Sequence, residues 1–151
     1  MTSPDLRKLI HARRKSRRLA MQALYQWQLT DQHPKDILAQ FQADDEMASA
    51  DPDYFRELLL EVTERHAALD ARVEPFIDRK SMAEVDPVER AILRIAVYEL
   101  EHRLDVPYRV VVNEAIELTK KFGAEQAHRF VNGVLDKLAQ ELRKAEVSIS
   151  R

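Results

Sequence analysis

Apolar residues recur along this 151-residue chain at helical rather than strand spacing. Ala20, Ala23, Leu24 and Trp27 fall at i, i+3, i+4 and i+7, which places them on one helical face. A break is predicted at Asp31-Gln32-His33-Pro34, then a short helix over Ile37, Leu38 and Phe41, then a loop from Asp44 to Ala50. Asp51-Pro52 pairs an N-cap with a proline at the first helical position. The stripe that follows runs through Phe55, Leu58, Leu59, Val62, His66, Leu69, Val73, Phe76 and Ile77, and Pro75 is expected to interrupt its end. No second histidine sits beside His66 at metal-binding spacing, so its place on the stripe reads as a hydrogen-bonded position at the core edge.

Asp86-Pro87-Val88-Glu89 is a second strong start signal: a capping carboxylate, a proline at the first position and a glutamate able to reach back. The helix it opens, Val88 to Leu100, is apolar on most sides and is predicted to be central and buried. Val106-Pro107 breaks the chain again. Val111, Ala115, Leu118 and Phe122 form the next stripe, closed by Gly123 as a C-cap. The last stripe is Ala127, Val131, Val134, Leu135, Leu138 and Leu142, with Gly133 expected to allow a close helix–helix approach and the tail from Glu146 to Arg151 expected to fray. The predicted fold is therefore all-α. A content of two glycines offers too few tight turns for an all-β chain.

The length suits a single domain, 1–151, divided into helical subdomains at 1–80 and 84–145. The absence of cysteine excludes disulfides and thiolate-based zinc sites, and fits a reducing cytoplasm. No apolar run approaches the roughly 20 residues needed to cross a bilayer. Gln22, Gln26 and Gln28 interrupt the stretch where a signal-peptide core would lie.

Net charge is −2, which on its face suggests no polyanionic partner. Its distribution changes that picture. Of 24 basic and 26 acidic residues, seven basic and one acidic lie in residues 1–18, leaving 17 basic and 25 acidic in the rest. The first 18 residues thus carry +6 and the remainder −8. Between Asp5 and Asp31 there is no acidic residue at all. Arg13, Arg14, Lys15, Arg17 and Arg18 run into the first apolar helix with no Gly or Pro between, an arrangement suited to setting cations against a phosphate backbone. Other chemistry is missing: no His pair at metal spacing, no HExxH, no glycine-rich phosphate loop and no nucleophile elbow. Glu101-His102 is expected to face two sides of a helix as plain surface charge. Neither a metal, a cofactor nor a catalytic residue is predicted.

Several segments, in order, carry a family resemblance. They are the basic run leading into Ala23-Leu24-Tyr25-Gln26-Trp27, the stretch Glu89 to Leu100, the stretch Asp105-Val106-Pro107-Tyr108 to Leu118, and Lys121-Phe122-Gly123 followed by Arg129-Phe130-Val131-Asn132-Gly133-Val134-Leu135-Asp136. Together they resemble the NusB family of bacterial transcription antitermination factors over nearly the whole chain.

That resemblance implies an all-α fold of two three-helix-type subdomains around a long buried central helix. It implies a non-enzymatic function: binding boxA RNA of ribosomal RNA operons as a heterodimer with the small-subunit ribosomal protein that acts as NusE, in a complex with NusA, NusG and RNA polymerase. It assigns the RNA side to the basic run and to Arg129 and Phe130, and the protein-partner side to Tyr25 and Glu89; Gln126, adjacent at the helix start, is a further RNA-side candidate and Arg94 a further partner-side one. The residues alone favour quieter roles. Phe130 lies close to Ala127 and Val131 and would be core. Tyr25 would be a partly exposed tyrosine, Glu89 half of a capping box, and Arg94 an internal salt-bridge partner. Lys15 and Ser16 interrupt what is often a purer arginine run; charge is kept at Lys15 but bidentate phosphate contact is not.

Two other classes compete. A domain of this fold also stands at the N-terminus of ribosomal-RNA cytosine methyltransferases, but 151 residues leave no room for a cofactor-binding α/β domain. A stand-alone helical adaptor with a disordered basic tail would bind no RNA. The residues do not choose between a monomer and a homodimer that buries the arm.

Overall fold

The computed structural model describes residues 3–149. Among them are seven α-helices and no strand: α1 (Pro4–Leu29), α2 (Pro34–Gln42), α3 (Pro52–Val73), α4 (Pro87–His102), α5 (Tyr108–Phe122), α6 (Ala127–Leu142) and α7 (Lys144–Ile149). The all-α expectation holds. The chain divides into two compact units, residues 1–64 and 65–151, with α3 running through the boundary. The subdomain limits expected from the sequence were 1–80 and 84–145.

In the first unit α1 begins earlier than the apolar pattern required. The Ser3 hydroxyl accepts from the Leu6 N–H at 3.1 Å, Pro4 takes the first position and Asp5 lies in the first turn, so the basic run is itself helical. Leu19, Ala20, Ala23 and Leu24 of α1, Ile37 and Leu38 of α2, and Tyr54, Phe55, Leu58, Leu59 and Val62 of α3 are buried. Burial of each large apolar side chain among these stabilises by about 1.5–3 kcal/mol. The segment expected to be a loop holds a 3-10 turn, Asp45–Ser49, because the Asp44 carboxylate caps it through the Glu46 N–H at 2.8 Å. Asp51 caps α3 as predicted, accepting from the Tyr54 N–H at 3.1 Å.

In the second unit α4 is buried at every residue from Ala91 to Leu100 and packs against α5 and α6. Asp86 caps it, accepting from the N–H groups of Val88 and Glu89 at 2.9 and 3.4 Å. Pro75 ends the helical run as expected: α3 stops at Val73 and a 3-10 turn, Glu74–Phe76, follows. Gly123 closes α5, and a Cβ there would meet the Thr119 carbonyl oxygen at 2.8 Å.

Three expectations are corrected. Gly133 is exposed with open space around it, so it mediates no close helix approach. The tail does not fray from Glu146: α7 reaches Ile149, Val147 is buried, and Glu146 accepts from Arg143 Nη1 at 2.6 Å and from the Tyr108 N–H at 2.7 Å. Ser150 and Arg151, part of the same expectation, lie outside the described residues. Glu101 and His102 do meet, at 3.1 Å, since long side chains at a helix end swing toward one another, and Arg72 reaches the same carboxylate at 2.7 Å.

Candidate nucleic-acid and partner surfaces

The basic run divides by helical phase. At 100° per residue, Arg13 and Arg17 sit one turn apart on the inward side of α1. Their guanidinium carbons lie 4.7 and 5.4 Å from the centroid of the buried Tyr54 ring, close enough for cation–π attraction. Arg13 also lies 3.7 Å from the Asp51 carboxylate, and Arg17 is only 4% exposed. Between them Ser16 is fully buried; its hydroxyl accepts from the Asp51 N–H at 2.9 Å and sits 2.6 Å from the Asp51 carbonyl. A guanidinium could not fit there, which explains the interruption in the arginine run.

Outward, Lys15 reaches the Ser49 hydroxyl at 2.6 Å and Arg18 reaches Glu46 at 3.4 Å. Arg14 is exposed, as is every residue from Ser3 to His11, including Arg7 and Lys8. The first turns of α1 therefore present cations on a preformed helix. Further along the same helix Tyr25 is 39% exposed.

The second unit holds a separate cluster. Gln126 precedes α6 with φ at +69°, the one non-glycine residue in the left-handed region among those described. Its carbonyl accepts from the Arg129 N–H at 3.1 Å, and both side chains are exposed. Val131, Val134, Leu135 and Leu138 carry the buried stripe of α6, and Phe130 flanks it half-buried. Arg79, from the irregular segment before α4, lays its guanidinium over the Phe130 ring at 4.4 Å. Glu89, in the first turn of α4, is 6% exposed. Burial pushes its carboxyl above the usual range, the Asp86 carboxylate adds to that, and Arg79 pulls the other way. Arg94 is buried and spans Asp70 of α3 with two parallel bonds, Nε to Oδ1 at 2.9 Å and Nη2 to Oδ2 at 2.7 Å. Among the described residues no group of histidines and carboxylates could hold a metal ion.

A profile of the NusB family matches residues 14–140. The chain belongs to the NusB family. It is 53% identical over 132 residues to transcription antitermination protein NusB of Idiomarina loihiensis, covering 87% of this chain and 94% of that protein. The protein of the same name from Hahella chejuensis is 46% identical over 144 residues, covering 95% and 96%. Among solved structures, T. maritima NusB superposes with a TM-score of 0.75 at 29% identity, covering 93% of this chain and 94% of that one. A crystal structure of the antitermination factors NusB and NusE in complex with dsRNA contains a chain with a TM-score of 0.69 at 26% identity, covering 85% and 96%.

Set on this NusB-family fold, the expected site residues separate. Arg14, Gln126, Arg129 and Tyr25 are exposed, while Arg13, Lys15, Arg18 and Phe130 are half-buried. Arg17, Arg94 and Glu89 are buried. Arg17, expected on the RNA side with the rest of the basic run, is drawn inward by the phase of the helix and by Tyr54. Arg94 takes the internal ion-pair role, its guanidinium committed to Asp70. Three cations fell outside the expected set. Arg7 and Lys8 were legible as part of the basic run. Arg79 had no sequence signal, since it lies in no periodic segment.

Proposed function

We propose that the chain is an RNA-binding transcription antitermination factor that binds the boxA element of ribosomal RNA operons as a heterodimer with the ribosomal protein acting as NusE. NusA, NusG and RNA polymerase complete the assembly, and its setting is the cytoplasm. No helix among the described residues is long and apolar enough to cross a membrane. The observation that carries this reading is the helical, cation-bearing start of α1, with Arg7, Lys8 and Arg14 exposed and Lys15 and Arg18 half-buried beside them, on a chain of the NusB family. The structural relative determined with NusE and dsRNA supports the same pairing here. In the second unit, Gln126, Arg129 and Phe130 are the base-side candidates. Tyr25 and the edge around Glu89 are the partner-side candidates.

Phosphates look alike, so the cations of α1 give affinity with little sequence choice. A partner that adds its own RNA contacts at fixed geometry raises effective concentration. The heterodimer is therefore expected to bind boxA RNA more tightly than the chain alone, and by reciprocity RNA tightens the heterodimer. The test is fluorescence anisotropy of labelled boxA RNA with and without the ribosomal protein, across a salt series. Binding that strengthens with the partner and weakens with salt is expected. RNA affinity indifferent to salt overturns the proposal, and affinity indifferent to the partner removes its cooperative part. Sedimentation of the chain alone decides between monomer and homodimer.

A further inference from the structure

We infer that Arg79 is itself an RNA-contact residue, and that Phe130 acts on RNA chiefly by holding the Arg79 guanidinium in place; this rests on the RNA-binding reading above. Arg79 lies between two 3-10 turns, Glu74–Phe76 and Met82–Glu84, with no helix to fix its direction. Its guanidinium is nevertheless placed, 4.4 Å from the Phe130 centroid. The Asp78 carboxylate, 3.5 Å away and 92% exposed, is too solvated to supply that order. The Arg79 side chain remains 37% exposed, so it stays open to an approaching RNA. One face of the Phe130 ring is thus covered, and a base approaching that face meets the guanidinium first. A guanidinium stacks on bases and donates to phosphate, so it replaces the ring as the contacting surface. Exposed Lys80, next in the chain, and Arg129, beside Phe130 on α6, extend the cationic surface.

The alternative is that a base stacks directly on Phe130 with Arg79 a bystander, and a double-mutant cycle separates the two. Arg79→Ala, Phe130→Ala and the double variant are titrated with fluorescein-labelled single-stranded boxA RNA over a salt series, with thermal melts of each. Arg79→Ala is expected to weaken binding about tenfold and to reduce the magnitude of the salt slope by about 0.7. Phe130→Ala is expected to weaken the parent chain similarly, yet to add less than about twofold once Arg79 is gone. Equal losses from Phe130→Ala in both backgrounds overturn the inference, as does wild-type affinity in Arg79→Ala. If Phe130→Ala does not fold, Arg79→Ala and Arg79→Lys decide. The lysine variant should keep the slope but recover only part of the affinity, because an ammonium does not stack. An unaltered Arg79→Ala beside a salt-sensitive wild type sinks this inference alone; a wild type that binds no RNA sinks the underlying reading too.

Discussion

Arg143, at the end of α6, is the side chain whose loss should hurt this fold most for its size. Its side chain is only 4% exposed. Nε donates to the Leu100 carbonyl at 2.7 Å, and Nη2 is shared among the carbonyls of Glu99, Arg103 and Val106 at 3.1, 2.9 and 3.0 Å. Nη1 pairs with Glu146 at 2.6 Å, and the other Glu146 oxygen accepts from the Tyr108 N–H at 2.7 Å. One guanidinium thus satisfies the carbonyls of Leu100 and Val106, gives a second donor to those of Glu99 and Arg103, which also accept from the N–H groups of Arg103 and Val106, and aligns the carboxylate at the start of α5. Arg143→Ala leaves the Leu100 and Val106 carbonyls without this donor, takes the second donor from Glu99 and Arg103, and leaves Glu146 without its cation. Hydrogen bonds to a charged group contribute about 1.5–3 kcal/mol each, but these share one group and do not add. Glu146 is 35% exposed, so its lost pairing adds little, and two buried carbonyls left unsatisfied at about 1–3 kcal/mol each set the expected total at about 3–5 kcal/mol. At about 2–4 °C per kcal/mol for a chain of this size, the melting temperature should fall by about 6–20 °C. Circular dichroism melts, with urea unfolding as a check, measure it. Arg143→Lys should recover less than half, because one ammonium cannot span the fork. A shift below about 2 °C for the alanine variant would refute the reasoning.

The arm residues should separate into two groups when replaced one at a time. Arg14→Ala and Lys8→Ala are expected to weaken RNA binding, each flattening the salt slope by about 0.7, with melting temperature unchanged. Arg17→Ala should lower the melting temperature instead, because it removes a buried side chain from Tyr54; paired anisotropy and melting curves check both, and a stable Arg17→Ala would put that residue back on the RNA side. Glu89 should make stability pH-dependent. Its folded carboxyl is raised above its unfolded value of 4.5, so the native state holds the proton more tightly and stability falls as pH rises from 4.5 through the folded value. Glu89→Gln removes that dependence, so its stability relative to wild type should increase as pH rises above about 4 in urea titrations; a constant difference would mean that the carboxyl is effectively solvated. Glutamine is also the right probe of the proposed partner surface, because lysine at this site would bury an ammonium beside Arg79 and confound repulsion with unfolding.

Much of the fold was legible because its signals are local. Asp51-Pro52 and Asp86-Pro87 start helices where their capping chemistry says they should, and the stripes of α3, α4 and α6 face inward. The misses depended on distant groups. The tail was expected to fray on composition alone, yet Glu146 is held by Arg143 and by the start of α5. Gly133 invited a packing explanation because glycine inside a helix is costly, by about 1 kcal/mol against alanine. It has no neighbour to justify that cost, and nothing in the structure explains its presence.

The candidate site was legible as charge but not as geometry. A run of cations announces a polyanion partner and says nothing about which guanidinium turns inward. Phase carried that information. The buried face of α1, Ala20, Ala23 and Leu24, extrapolates back one turn to Ser16 and Arg17, and both are buried. Residue type had outweighed position in the expectation, since an arginine between basic neighbours looks solvated. What phase could not supply was the receiver: Tyr54 and Asp51 come from more than 30 residues later in the chain. Arg79 shows the same limit more sharply. It has no phase to extrapolate, and its placement depends on an aromatic ring 51 positions further on. The cations that sequence counts as one cluster are therefore of two kinds in the folded chain. Some fasten α1 to its own unit, and others remain turned to solvent on a scaffold already rigid. Only the second kind can exchange counterions for phosphate without unfolding anything, and that is why single replacements, rather than removal of the whole run, can tell binding from stability.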